Sequence, residues 1–136
     1  MIALVLSAVS LSIFAGSALA AGGNNDPSCV PTAAHPDPVV LLHGLGATYY
    51  EDLNLLQAQL ATDGYCTYSL TYGSPPGFPY VGGLAAIATS APQIAQFVEQ
   101  VLAETRAAKV DLVGHSEGAF QSLYVTKTQG IADRID

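Results

Sequence analysis

The sequence predicts an α/β fold built on a short parallel sheet, and three observations lead to this class. Residues 39–42 (Val-Val-Leu-Leu) are apolar throughout, as a strand covered on both faces should be, and residues 110–113 (Val-Asp-Leu-Val) are interpreted as a short buried strand. Segments with helical spacing lie between and after them. This alternation of strands and helices along the chain favours parallel strands joined by right-handed crossovers.

Length and composition limit what the chain can be. Its 136 residues allow one domain at most, and half of them are hydrophobic, which excludes a disordered chain. The formal net charge is −7, and all four basic residues lie after position 105. A chain this acidic is a poor partner for nucleic acid or anionic membranes. We find no internal repeat and no cluster of metal ligands, so neither a metal nor another cofactor is expected.

The first 38 residues predict export and then an arm. Residues 1–20 are short and apolar and end in Ala18-Leu19-Ala20, which is typical of a cleavable signal peptide. They carry no Lys or Arg, so a membrane anchor and a hydrophobic mature start remain alternatives. Residues 21–38 are interpreted as an extended N-terminal arm, with a flexible linker over 21–27. We therefore expect a secreted, extracellular protein.

The first half of the remaining chain predicts two strands and one helix. After the strand at 39–42, a helix is expected over residues 50–62, with Leu53, Leu56 and Leu60 as its apolar stripe. A second strand follows at residues 65–70. Residues 71–83 are rich in Pro and Gly and predict a loop at the carboxyl end of that strand. Its aromatic residues either line an acyl pocket or pack on the surface.

A second helix is the best defined from sequence. Ser90 is expected as its N-cap, Pro92 in its first turn, and Gln93 as the partner in a capping box. Its apolar stripe consists of Ile94, Phe97, Val98, Val101 and Leu102. A strand at 110–113 and a helix beginning near residues 119–125 come next, and residues 131–136 are expected to approach another strand.

The pentapeptide Gly114-His115-Ser116-Glu117-Gly118 lies between that strand and that helix. Strand, Gly-x-Ser-x-Gly and helix in this order predict a nucleophile elbow. The turn is so tight that side chains at both glycine positions would collide with neighbouring backbone. The serine is then expected at the tip with its hydroxyl exposed, facing the N-terminus of the helix, which favours negative charge. Such a serine suits attack on an ester carbonyl.

A second stretch supplies the other part of an acyl-transfer site. The apolar strand at 39–42 runs into His43-Gly44-Leu45-Gly46. Acyl transfer requires backbone donors for the developing oxyanion, one after the nucleophile and one from an upstream loop. The backbone N–H groups of Leu45 and Glu117 are the expected donors.

Residues 29–136 resemble the secreted class 2 lipases and related esterases of the α/β-hydrolase superfamily. The resemblance lies in residues 29–31, 35–44, 64–66, 72–73 and 108–118. It implies a partial α/β-hydrolase fold over residues 39–136, with three or so parallel strands, flanking helices and the C-terminal strands missing. Together with an exported chain, it also favours a disulfide between Cys29 and Cys66. Two unrelated buried thiols are the alternative.

The rest of a catalytic triad is not evident. A serine needs a histidine base and an orienting acid, which in this superfamily follow the nucleophile. No histidine follows Ser116; the three histidines are His35, His43 and His115. Asp133 and Asp136 come too soon after the elbow helix to be the family's acid.

Two classes of function therefore remain. The first is a carboxylic ester hydrolase acting on triacylglycerol or related esters, with part of its catalytic machinery absent from these residues and little or no activity by itself. Its partners are lipid or other ester substrates and a lipid–water interface. The second is a non-catalytic, hydrolase-like fragment or pseudoenzyme with a binding role.

Overall fold

The computed structural model describes residues 24–136, in which a three-stranded parallel sheet carries the helices on its faces. The predicted signal peptide at residues 1–20 and the start of the arm lie outside the described residues. The elements are β1 (Val39–Leu42), α1 (Asn54–Thr62), β2 (Thr67–Leu70), α2 (Ile87–Thr105), β3 (Asp111–Gly114), α3 (Glu117–Thr128) and a 3₁₀ turn (Ala132–Arg134). The predicted α/β class and parallel sheet are confirmed.

Strand β1 is the centre of the sheet. The strand order is β2-β1-β3, and β1 pairs in parallel with both neighbours, from Val39 opposite Thr67 and Asp111 to Leu42 opposite Leu70 and Gly114. All four β1 residues are buried. Two edge strands thus hold β1 between them, and its carboxyl end leads directly into the loop at residues 43–47.

The two faces of the sheet are covered differently. Val40 and Leu42 belong to the main hydrophobic cluster, whereas Val39 and Leu41 alternate to the other face. Helices α2 and α3 pack against each other, and α2 contributes more residues to the cluster than any other element. The predicted stripe of α2 is confirmed: four members are buried and Phe97 is partly buried against them, the four being Ile94, Val98, Val101 and Leu102. Burying each such side chain fully contributes about 1.5–3 kcal/mol.

Helix α1 differs from its prediction. It begins at Asn54 rather than near residue 50, and Leu56 is 41% exposed. The buried residue of α1 is Gln57, whose side-chain oxygen accepts a hydrogen bond of 2.9 Å from the Ser69 hydroxyl. Thr67 and Ser69 of β2 lie on the same face of the sheet as Val39 and Leu41. A polar side chain from α1 can form hydrogen bonds with this face, whereas the predicted leucine stripe cannot.

Helix α2 begins three residues before the predicted N-cap. Ile87 is its first residue and Ser90 is fully buried inside the first turn, so the capping-box prediction is wrong. The N–H of Ser90 donates to the Ala86 carbonyl at 3.1 Å, and Gln93 instead accepts a hydrogen bond of 3.0 Å from the Gly73 N–H. Packing of Ser90 and Gln93 against the loop at 71–83 therefore outweighs their local capping preference. No helix among the described residues is long and apolar enough to cross a membrane.

The N-terminal arm is hydrogen-bonded to β2 at residues 24–26, within the segment where the sequence predicts a flexible linker. The Asn25 N–H donates to the Thr67 carbonyl at 2.8 Å, and the Asn25 side-chain oxygen accepts from the Ser69 N–H at 2.6 Å. The Tyr68 hydroxyl donates to the Asp26 carbonyl at 2.8 Å. Burial, followed by the charges of Glu104 and Asp26, raises the pKa of Tyr68 to about 12. These long-range contacts correct the flexible-linker prediction.

The predicted disulfide is present. Cys29 and Cys66 are joined with a Cα–Cα distance of 5.8 Å, and both residues are buried. The bridge connects the arm to the residue that precedes β2. At the other end of the described chain, Ile135 forms a parallel bridge with Val110, as the expected approach to a strand predicts.

We expect the paired substitution of Cys29 and Cys66 by alanine to lower the free energy of unfolding by about 2–4 kcal/mol, because a loop closed over 37 residues restricts the unfolded chain. Urea denaturation of the variant beside the oxidised wild type measures this difference. The wild type treated with dithiothreitol is the control and should lose a similar amount. Equal stability of all three samples would show that the hydrogen bonds of residues 24–26 alone hold the arm.

Candidate active site

Ser116 occupies a strained turn between β3 and α3. Strand β3 ends at Gly114, helix α3 begins at Glu117, and Ser116 between them has φ 52° and ψ −117°. For comparison, Arg106 at the end of α2 has φ 59° and ψ 21°, the ordinary left-handed conformation of a helix terminus. The angles of Ser116 lie outside the helical, extended and left-handed regions that residues other than glycine ordinarily adopt. Such strain persists only where the surrounding structure imposes it. Ser116 is exposed.

The two glycines of the pentapeptide permit this turn. A β-carbon added at Gly114 would lie 2.3 Å from the carbonyl of Gly118, and one added at Gly118 would lie 2.0 Å from the carbonyl oxygen of Leu42. Both neighbours are backbone atoms that cannot move aside without displacing a strand or a helix. A side chain at Gly114 would therefore separate α3 from β3, and one at Gly118 would separate α3 from the end of β1.

The loop after β1 leaves one N–H group without an acceptor. The Gly44 N–H donates to Asp52 at 2.6 Å, the Gly46 N–H to the Gly82 carbonyl at 3.0 Å and the Ala47 N–H to the Gly44 carbonyl at 3.3 Å. The Leu45 N–H has no acceptor within residues 24–136. Among the N–H groups of residues 44–47, the one without an acceptor in the described chain is thus that of Leu45, which the sequence analysis predicts as a backbone donor.

The orientation of the Leu45 N–H follows from the Gly44 carbonyl, because the two groups belong to one planar trans peptide. The Gly44 oxygen accepts hydrogen bonds from His43 Nδ1 at 2.8 Å and from the Ala47 N–H. The Leu45 N–H must point to the opposite side. Gly44 itself lies against the serine, since a β-carbon added to it would be 3.2 Å from the Ser116 β-carbon.

His43 is buried and fully occupied by these contacts. Its Nε2 accepts a hydrogen bond of 3.2 Å from the Tyr72 N–H, which assigns the ring proton to Nδ1. Its ring stacks on Tyr72 at 4.3 Å, and the Tyr72 hydroxyl donates to the His43 carbonyl at 2.5 Å. Burial, followed by the charges of Glu117 and Asp52, raises the pKa of Tyr72 above its ordinary value. His43 therefore supports the loop and has no free nitrogen with which to accept a proton.

Gly82 and Gly83 pack against the loop at residues 43–47. The Gly82 N–H donates to the Ala47 carbonyl at 2.8 Å, and a β-carbon added at Gly82 would lie 2.5 Å from the His43 ring. Gly83 has φ 69°, and a β-carbon there would lie 3.1 Å from Leu45 Cα and 3.1 Å from the Glu117 carboxylate. The end of the predicted loop at 71–83 thus packs against the loop that carries Leu45.

Glu117 is the first residue of α3, and its backbone N–H is likewise unpaired in the described part of the chain. The first N–H groups of a helix lack intrahelical acceptors and favour negative charge. One carboxylate oxygen of Glu117 is buried without a hydrogen-bond partner among the described residues. The side chain therefore turns inward toward Gly83.

His115 pairs with an acid that the sequence analysis does not nominate. Its Nδ1 lies 3.0 Å from Asp52 Oδ2, and its side chain is 60% exposed. Burial opposes ionisation of Asp52, but the Gly44 N–H and His115 outweigh it, so the pKa of Asp52 lies below its ordinary value. The third histidine, His35, lies in the N-terminal arm, and its ring contacts that of Tyr65 with the ring centroids 3.7 Å apart. Among the described residues, none of the three histidines is hydrogen-bonded to the Ser116 hydroxyl.

A cleft opens beside the site rather than over Ser116. It has a volume of about 510 Å³ and is lined by tyrosines and smaller polar residues, namely Thr48, Tyr49, Tyr50, Glu51, Thr71, Pro79 and Tyr80. Of the aromatic residues of the loop at 71–83, Tyr80 lines this cleft and Phe78 is 66% exposed. The residues that the structure describes contain no group of side chains suited to a metal ion.

Sequence reasoning misses Asp52, Tyr72 and Gly82. Each is distant in sequence from the residue that it contacts, and none lies in a recognisable spacing. The only local signal is the match of Tyr72-Gly73 to the family resemblance, which gives neither residue a role.

Residues 36–129 match the family model described as Lipase (class 2), which is more than half of the 136 residues. The matched segment contains β1, the loop at 43–47, the pentapeptide and all of α3.

We expect Gly118→Ala to lower the free energy of unfolding by about 3 kcal/mol or more, because the added carbon overlaps the Leu42 carbonyl. Gly130→Ala is the matched control. Gly130 has φ 71° but no atom within 4 Å of an added β-carbon, so only the conformational cost of about 1–2 kcal/mol applies. Denaturant unfolding of both variants gives the comparison, and equal losses would argue against the close contact of α3 with β1.

Proposed function

Because the chain belongs to the class 2 lipase family, we propose that it carries the nucleophile and the oxyanion donors of a carboxylic ester hydrolase, with Ser116 as the nucleophile. The family supports a lipase or esterase in general. The serine mechanism, the residue roles and the activity of this chain are our proposal.

The observation that carries the proposal is the strained, exposed Ser116 close to two N–H groups, those of Leu45 and Glu117, that have no acceptor among residues 24–136. Leu45 follows Gly44, whose backbone lies against Ser116, and Glu117 directly follows the serine. Backbone donors that are fixed before the reaction stabilise a developing negative charge without a cost of reorganisation. The orientation of the Leu45 N–H follows from the hydrogen bonds of Gly44, and the Glu117 N–H belongs to the first turn of α3, so we propose that both donors are in place before a substrate arrives.

The chemistry consists of acylation and then deacylation of the serine. The Ser116 oxygen forms a bond to the ester carbonyl carbon, and the carbonyl oxygen becomes an oxyanion that accepts hydrogen bonds from Leu45 and Glu117. The C–O bond to the alcohol then breaks, the alcohol takes up a proton, and an acyl-serine remains. Water then forms a bond to the acyl carbon, the bond from that carbon to the Ser116 oxygen breaks, the serine oxygen regains a proton and the carboxylic acid leaves. A base must receive the serine proton in the first step and the water proton in the last.

The three histidines of the sequence do not supply that base in the geometry described above. Both nitrogens of His43 are bonded, His115 turns Nδ1 to Asp52, and His35 stacks on Tyr65. We therefore propose that these 136 residues turn over esters slowly by themselves. The oxyanion donors and substrate binding alone leave about 10³–10⁴-fold acceleration over water in a serine hydrolase without its triad.

The substrates are proposed to be lipid or related esters with apolar acyl groups, such as triacylglycerols. Leu45, which carries one donor, is 66% exposed, and Phe120, one turn along α3 from Ser116, is 55% exposed. Exposed apolar side chains beside a polar reaction centre favour an apolar ester, and they also suit a lipid–water interface. No nucleic-acid partner is proposed.

We also propose that the protein is secreted, with residues 1–20 as a signal peptide, 21–38 as an arm and 39–136 as the hydrolase portion. The Cys29–Cys66 disulfide supports this, because disulfides persist in oxidising compartments.

A base added to the solution tests the mechanism on the chain as it exists. We expect hydrolysis of p-nitrophenyl butyrate by the wild type to exceed that by Ser116→Ala only slightly in plain buffer. The difference between them should grow with added imidazole, which takes the serine proton. Ser122→Ala, on the same helix, is the control and should behave as the wild type does, because its hydroxyl only donates to the Gly118 carbonyl.

Two results would contradict the proposal in different ways. Equal rates for wild type and Ser116→Ala at every imidazole concentration would remove Ser116 as the nucleophile and favour a non-catalytic binding role. Fast, Ser116-dependent turnover without imidazole would show that a histidine of the chain acts as the base. Substituting His35, His43 and His115 in turn would then identify it.

A further inference from the structure

Asp52 connects the two segments that carry the oxyanion donors. It lies in the turn before α1, and its side chain is only 16% exposed. Its Oδ2 atom accepts the Gly44 N–H at 2.6 Å and lies 3.0 Å from His115 Nδ1. One carboxylate oxygen therefore contacts both the loop after β1 and the turn after β3.

This contact lies where the sheet no longer holds the two segments together. The last ladder hydrogen bond between them runs from the His115 N–H to the Leu42 carbonyl at 3.0 Å. Beyond it, one segment continues through Gly44 to the Leu45 donor, and the other continues through Ser116 to the Glu117 donor. The Asp52 oxygen spans the gap directly beyond that point, so it bears on the distance between the two donors.

Gly44 makes the position of this loop depend on its hydrogen bonds. A glycine has no side chain to restrict its φ and ψ angles. Its carbonyl is held by His43 and Ala47, while its N–H is held by Asp52 alone among the described residues. Without the carboxylate, only the two hydrogen bonds to its carbonyl would hold Gly44, and the loop that carries the Leu45 N–H would be free to shift relative to Ser116.

The chemistry of the contact suits a fixed orientation. A hydrogen bond from a backbone N–H to a charged carboxylate is shorter and stronger than one to a neutral acceptor. The low pKa of Asp52 keeps the carboxylate ionised, since its hydrogen bonds to Gly44 and His115 outweigh the opposing effect of burial.

We propose that Asp52 is a positioning residue of the oxyanion hole, which orients the Leu45 N–H through Gly44 and sets its separation from the elbow through His115. The inference rests on the proposed function. Asp52 does not touch the reacting atoms; it acts through the two backbone segments.

The test combines hydrogen exchange of the Gly44 amide, followed by NMR, with the imidazole-supported hydrolysis that depends on Ser116. Asp52→Ala should accelerate Gly44 exchange at least about tenfold. It should lower kcat about tenfold or more with little change in KM, approaching the 10²–10³-fold loss that follows removal of an oxyanion donor. Asp52→Asn keeps an oxygen acceptor for the Gly44 N–H and should restore most of both. Asp63→Ala, an exposed acid at the end of α1, is the control and should alter neither.

The outcomes separate this inference from the function on which it rests. Unchanged Gly44 exchange in Asp52→Ala overturns the inference whatever the activity, and so does a change confined to KM. A loss of kcat that Asp52→Asn does not relieve also overturns it, because charge rather than positioning would then be responsible. A wild type without Ser116-dependent hydrolysis contradicts the proposed function. The exchange rate of Gly44 still decides whether Asp52 holds the loop.

Discussion

The contact between helix α3 and the end of β1 is the constraint on which the site depends. Gly118 lies so close to the Leu42 carbonyl oxygen that an added β-carbon would be 2.0 Å from it. Ser116 lies two residues before Gly118, and Gly44 lies two residues after Leu42. The single close approach therefore brings the serine, the loop with Leu45 and the first N–H of α3 into one neighbourhood. The strain at Ser116 follows from reversing the chain within this distance.

The parts of the fold that sequence predicts well are those where one face of an element meets a continuous apolar surface. Strand β1 and the stripe of α2 meet that condition, because their side chains repeat with the period of the element and are buried. Helix α1 does not, because the sheet face against which it packs carries Thr67 and Ser69. Gln57 is therefore buried against this face in place of the leucines. The prediction of Ser90 as an N-cap is wrong for a related reason, because Ser90 packs against Gly73 on a distant loop. A β-carbon added at Gly73 would lie 2.6 Å from the Ser90 hydroxyl.

The site divides in the same way. The pentapeptide and the His-Gly-x-Gly loop are local patterns whose glycines report backbone crowding, so sequence nominates Ser116, Leu45 and Glu117. The residues that hold those groups in place are not local. Tyr72 reaches His43 across 29 positions, and Asp52 reaches His115 across 63. Such pairs depend on how the loops at the carboxyl ends of β1, β2 and β3 come together, and no periodicity in one sequence encodes that.

The central claim is that Ser116, Leu45 and Glu117 form one preorganised centre for an oxyanion. The most direct measurement is a crystal structure of the chain after reaction with an alkyl p-nitrophenyl phosphonate, whose tetrahedral phosphorus resembles the intermediate of acyl transfer. The account predicts phosphorus bonded to the Ser116 oxygen, with one phosphoryl oxygen about 3 Å from the backbone nitrogens of both Leu45 and Glu117. Attachment at another residue, or a phosphoryl oxygen bonded to neither nitrogen, would contradict it.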